Sequence, residues 1–199
     1  EDGDCRNRRK KNYCKMLTLS LNILDIVQNS IRAKASEIDI EVVESVEKDI
    51  LEIRITDNGT GMPEELLAKV TDPFVTTRTT RKIGLGLPLL KYQANLAGGD
   101  LSIESKEGKG TTVSVSLSLG HIDRQPMGDI AGVMTILMAA NPEISFLYGH
   151  KTDTGEYRFS SKETLEYLEI DNFNESKLLS DIKEMLIENR KDIGASDIN

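Results

Sequence analysis

Two oxygen-bearing side chains, Asp25 and Asn29, stand four residues apart in the stretch LDIVQNSIRAKAS. On a helix that spacing places one above the other on a single face. The amide oxygen of Asn29 is a hard, neutral ligand of the kind Mg²⁺ takes beside phosphate oxygens and water. Asp25, one turn earlier, can accept a proton from a water or hydroxyl attacking a terminal phosphate. On local pattern alone the pair also fits the solvated face of an amphipathic helix.

A third carboxylate, Asp57, opens the stretch DNGTGM at the end of an apolar run. There it can accept a hydrogen bond from an exocyclic amine such as adenine carries, although an aspartate before Asn-Gly also suits an ordinary turn. Two further glycine loops follow, GLGLP at 84–88 and GKGTT at 108–112. Glycines at a helix start let backbone N–H groups approach an anion, and the helix dipole favours it. GLGLP is therefore a candidate phosphate cradle. It is not the dinucleotide fingerprint, because it follows a long loop rather than a strand.

The elements that must hold these residues are legible from periodicity. A helix is expected from about Met16 to Lys34, with Leu17, Leu21, Leu24, Val27 and Ile31 apolar and a polar stripe through Thr18, Asn22, Asp25, Asn29 and Arg32. EIDIEVV and DILEIRIT alternate as strands. PEELLAKV opens with Pro63 as a short helix. Residues 71–83 carry no periodicity and read as a loop, and a helix from about Leu85 to Ala97 stops at Gly98-Gly99. LSIES and TTVSVSLS flank the turn KEGKG. This order predicts an α/β, or α+β, two-layer sandwich whose mixed sheet is covered by helices on one face.

After Gly120 the character shifts. An apolar helix (127–141), a hairpin across DTG and two polar-faced helices are expected, one of them opened by the capping pattern Ser160-x-x-Glu163. The expected organisation is a basic tail at 1–15, a core domain at 16–120 and a small C-terminal α/β appendage at 121–199. The apolar helix suits either an interaction surface, against the sheet or across a dimer, or the core of the appendage.

The 199-residue chain has a net charge of −8. That excess of acid argues against a general nucleic-acid or anionic-membrane binder. The stretch IAGVMTILMAA is too short to span a bilayer. Only Cys5 and Cys14 occur, which fits a reducing cytoplasm. The two histidines, His121 and His150, read as surface or turn residues.

Asp25 and Asn29, then DNGTGM, DPF, GLGLP and GKGTT, in this order and spacing, resemble the ATP-binding domain shared by histidine kinases, gyrase, the heat-shock chaperone ATPases and MutL. This is the GHKL, or Bergerat, fold, and the resemblance covers roughly residues 16–118. It implies ATP and Mg²⁺ as cofactors. Asn29 looks like the asparagine that coordinates the metal, and Arg32 like a basic residue near the phosphates. Asp57 and Thr111 look like the pair that meets adenine, with Gly59 and Gly61 letting the backbone close around the base. Phe74 matches the ring under the nucleotide lid. Thr77 and Lys82 fall in the lid, and Gly84 and Gly86 match the phosphate-facing glycines.

Asp25 takes the catalytic position, where many sensor kinases keep asparagine and the ATPases keep glutamate. No histidine stands in the phosphoacceptor context of sensor kinases, so autophosphorylation in cis is not expected. The resemblance implies a stand-alone regulatory kinase that passes the γ-phosphate to an unidentified partner protein. A conformational ATPase or ATP sensor without phosphotransfer is the alternative, and a homodimer is a further option.

Overall fold

The computed structural model describes residues 18–72 and 86–196. Phe74, Thr77, Lys82, Gly84 and the basic tail at 1–15 lie outside them.

Helix α1 (Leu19–Arg32) buries Leu19, Ile23, Ile26 and Val27 along one stripe. Burying each such side chain contributes about 1.5–3 kcal/mol. Two serines, Ser20 and Ser30, share the buried side. The helix closes through Lys34 at φ 59, with the Ala35 amide donating to the Ser30 carbonyl at 3.1 Å. Strand β1 (Glu37–Ser45) then pairs antiparallel with β2 (Ile50–Asp57). Their inward residues Ile38, Ile40, Val42, Leu51, Ile53 and Ile55 are buried, whereas Arg54 and Thr56 face solvent. Strict alternation of this kind marks a sheet with one covered face.

One helical turn, α2 (Glu64–Leu67), is all that forms of the helix expected over PEELLAKV. Helix α3 (Gly86–Leu96) leads to β3 (Asp100–Lys106) and β4 (Gly110–Leu117). The tail supplies α4 (Ile130–Ala140), β5 (Ser145–Lys151), β6 (Glu156–Ser160), α5 (Ser161–Leu168) and α6 (Ser176–Asp192). Ser160 Oγ accepts the Glu163 amide at 3.2 Å, as the capping pattern predicts.

All six strands form one mixed sheet in the order β3-β4-β2-β1-β5-β6, with β5 parallel to β1 and every other pair antiparallel. The segment after Gly120 thus joins the same sheet, and a single apolar cluster runs from Leu19 to Leu186. Helix α4 is core rather than a surface: eight of its eleven residues are buried, and it packs against α1 and α6. Its apolar content is spent on neighbours to both sides.

The expectation for His150 is overturned. It sits on the covered face of β5, 1% exposed, and its Nε2 meets Glu44 Oε1 of β1 at 2.9 Å. His121 lies in the bend that follows β4. Among the described residues, no helix is long and apolar enough to cross a membrane.

Candidate nucleotide site

One end of the sheet opens into a cavity of about 340 Å³ between α1, the loop after β2, the start of α3 and the strands β3 and β4. Ligand pockets commonly begin near ~300 Å³. Helix α1 contributes Asp25, Asn29, Ser30 and Arg32 to its wall, and β2 ends in it at Asp57. Thr111 stands opposite Asp57 in the β2–β4 ladder and lines the same wall. The sides are apolar, through Ile26, Leu66, Val70, Leu87, Ile103 and Val113.

Asp57 is 8% exposed and held from two directions. The Ser30 hydroxyl donates to Oδ2 at 2.6 Å, and the Gly59 amide donates to Oδ1 at 2.9 Å. A buried carboxylate needs such donors, because an unpaired charge in low dielectric is costly. The loop around it is stapled on both sides. Asn58 Oδ1 accepts the Ser36 and Glu37 amides at 2.9 and 3.0 Å, and the Thr60 amide donates to the Ala33 carbonyl at 2.8 Å. The Gly108 amide donates to the Thr60 carbonyl at 2.7 Å. Gly61 has φ +65, and a Cβ there would collide with the Lys106 carbonyl. Glycine is therefore required at 61 for conformation and for space.

Elsewhere on α1, Asn29 Oδ1 accepts from Arg32 Nη2 at 2.9 Å, while Arg32 Nε donates to the Gln28 carbonyl at 2.8 Å. A cation thus already rests on the asparagine oxygen. Asp25 lies across from the first residue of α3, where a Cβ on Gly86 would sit 3.8 Å from Asp25 Oδ2. Gly86, Leu87 and Pro88 of α3 line the cavity wall.

Asp25, Asn29, Arg32, Asp57, Gly61, Gly86 and Thr111, seven of the residues singled out by sequence, thus converge on one cavity. Gly59 stands behind it and donates its amide to Asp57. Three contributors were missed. Ser30 and Asn58 brace the Asp57 loop, and Ser105 on β3 braces Thr111, with 2.9 Å between their hydroxyl oxygens. Ser30 did leave a signal: it falls on the 19–23–26–30 spacing of the buried stripe, where a serine needs a partner.

Comparison with known proteins now decides the family. Residues 16–121, slightly more than half of the chain, match the family described as "Histidine kinase-, DNA gyrase B-, and HSP90-like ATPase". The chain belongs to this ATPase family. The sensor protein kinase FleS of Pseudomonas aeruginosa is 36% identical over 115 residues, which covers 58% of this chain and 28% of that protein. The sensor histidine kinase WalK of Bacillus subtilis is 34% identical over 103 residues, covering 48% of this chain and 17% of that one. The chain spans under a third of the length of either relative. A solved N-terminal domain of a DNA repair protein aligns over 72% of this chain and 51% of its own, at TM-score 0.47 and 20% identity. The mixed sheet with its covering helices is the Bergerat arrangement of this family.

Metal fit can be judged from the donor set. Among the described residues, no group of three or more His, Cys, Asp or Glu side chains could cage a cation. Mg²⁺ asks for less, one or two hard oxygens plus phosphate oxygens and retained waters. Asn29 Oδ1 is a hard oxygen of that kind on the cavity wall.

Proposed function

We propose that the cavity binds ATP with Mg²⁺, and that the chain is a regulatory kinase passing the γ-phosphate to a partner protein. The observation that carries this reading is the polarity of the cavity. Asp57, at one end, accepts a hydrogen from an exocyclic amine. Asn29, Arg32 and, beside Asp25, Gly86 of α3 line the same cavity, and this reading sets the polyphosphate charge against them. The apolar walls between them suit the faces of a base and sugar.

Within this reading Asn29 holds the metal, Arg32 shifts from Asn29 to the phosphates, and the α3 amides bind phosphate oxygens. Mg²⁺ would offset the charge developing on the transferred phosphoryl group. Asp25 takes the proton from the attacking hydroxyl, directly or through one water. Its closeness to Gly86 supports that role.

Incubation with γ-labelled ATP, with and without cell extract, tests the assignment. Label on a partner protein, lost in Asp25→Asn, supports the kinase. Free phosphate with no labelled protein replaces it with the conformational ATPase. If Asp57→Asn binds ATP as tightly as the wild type, the base end has been misplaced.

A further inference from the structure

Three polar side chains form the Asp57 end of the cavity, and the position of each hydrogen can be traced. An ionised carboxylate only accepts, and Asp57 takes the Gly59 amide on Oδ1 and the Ser30 hydroxyl on Oδ2. A hydroxyl has one hydrogen. Ser30, which also lines the cavity, has therefore spent its own and turns only lone pairs to a ligand.

The hydrogen of Thr111 is fixed by Ser105, a residue outside the cavity wall. Ser105 Oγ receives the Met62 amide at 2.9 Å. It lies 3.0 Å from the Gly110 carbonyl oxygen and 2.9 Å from Thr111 Oγ1. A carbonyl oxygen cannot donate, so the Ser105 hydrogen goes to Gly110; otherwise two lone pairs would face each other at that distance. The Ser105–Thr111 bond must then use the hydrogen of Thr111. Thr111 is left with lone pairs alone for the cavity.

We infer that Ser105 and Ser30 are specificity-setting positioning residues that hold the base end of the cavity in an acceptor-only state. Such a wall takes a purine whose six-position carries an amine and opposes one that carries a carbonyl oxygen there. The inference rests on the ATP reading and adds Ser105, which lies outside the cavity wall, and Ser30, which acts on the base through Asp57. Ser105 is the sharper member, because it acts wholly through Thr111.

The test compares ATP and ITP affinities, with Mg²⁺, for the full chain. Wild type should prefer ATP. Ser105→Ala frees the Thr111 hydrogen to swing toward a carbonyl ligand, and should narrow the ATP:ITP ratio about fivefold to tenfold, the worth of one neutral hydrogen bond. Ser105→Thr, which keeps the hydroxyl, should restore the ratio. In a Thr111→Val background Ser105→Ala should leave the ratio where Thr111→Val alone puts it. Equal weakening of both nucleotides by Ser105→Ala, or the same narrowing with Thr111 already replaced, would overturn the inference. Should the alanine variant not fold, Ser105→Cys carries the same expectation, since a thiol accepts weakly, and an unchanged ratio there overturns it too. A wild type that binds ATP and ITP alike sinks this inference alone. One that binds neither sinks the ATP reading with it.

Discussion

His150 Nε2 and Glu44 Oε1 meet at 2.9 Å inside the sheet's covered face, with His150 side-chain exposure at 0% and Glu44 at 4%. The Tyr148 hydroxyl lies 3.0 Å from His150 Nδ1, and the Ser196 amide donates to Glu44 Oε2 at 2.8 Å. Arg190 of α6 is buried beside them. Neutral histidine suits this arrangement, donating from Nε2 and accepting at Nδ1.

Burial pushes the His150 pKa below 6.5, against the pull of Glu44. Burial pushes Glu44 up, but the bonds from His150 and Ser196 outweigh it and hold the carboxyl below 4.5. Both folded-state values are depressed, so the unfolded chain binds protons first as pH falls. Stability should therefore be flat above neutrality, decline as pH drops from about 6.5, and decline further below about 4.5. Urea unfolding midpoints across pH 8 to 4 read this out. His150→Gln should flatten the first decline and, by replacing the imidazole bonded to Glu44, alter the second; a first decline of equal size in that variant refutes the assignment.

Ser30→Ala removes one of the two protein donors to a buried carboxylate. We expect a loss of about 1–3 kcal/mol in folding stability, together with weaker ATP binding. Chemical denaturation and calorimetry measure the two effects separately. Unchanged stability would mean that Asp57 does not depend on the serine.

Asp25→Asn keeps the side-chain volume and removes the proton acceptor. Turnover should fall by a factor of about 10²–10⁴ while ATP affinity holds within a few-fold. Single-turnover kinetics with a binding isotherm separate the two. Equal loss in both would make Asp25 a ligand contact rather than a base.

Gly61→Ala forces a side chain into φ +65 and against the Lys106 carbonyl. The backbone strain alone is of order 1–3 kcal/mol. Loss of nucleotide binding should accompany the drop in melting temperature, because the loop that it distorts also carries Asp57. Gly108→Ala is the control. It shares a positive φ of 73, but its Cβ meets nothing within 4 Å, so the milder loss expected there isolates the collision.

Much of the cavity was readable because its residues sit at element ends, where glycine, Asx and periodicity signals are strong. Asp57 ends a cleanly alternating strand, and Gly86 lies in a helix where one is expected. Ser105 was hidden because a serine alternating through a partly exposed strand looks like a solvent-facing residue. Glu44 and His150 were hidden for a related reason. Nothing local distinguishes a charged residue in an antiparallel ladder from one that a distant helix, here α6, will cover. The docking of β5 on β1 was equally illegible, since parallel pairing across 100 residues leaves no turn signature.

That pairing has one more effect. Strand β5 satisfies the outer amides and carbonyls of β1 from Glu37 to Val43. A chain cut after Gly120 would keep every residue assigned to the cavity and yet carry EIDIEVV as a bare template for strand addition. Residues beyond the ATPase match thus cover a β1 edge that would otherwise stand open to strand addition.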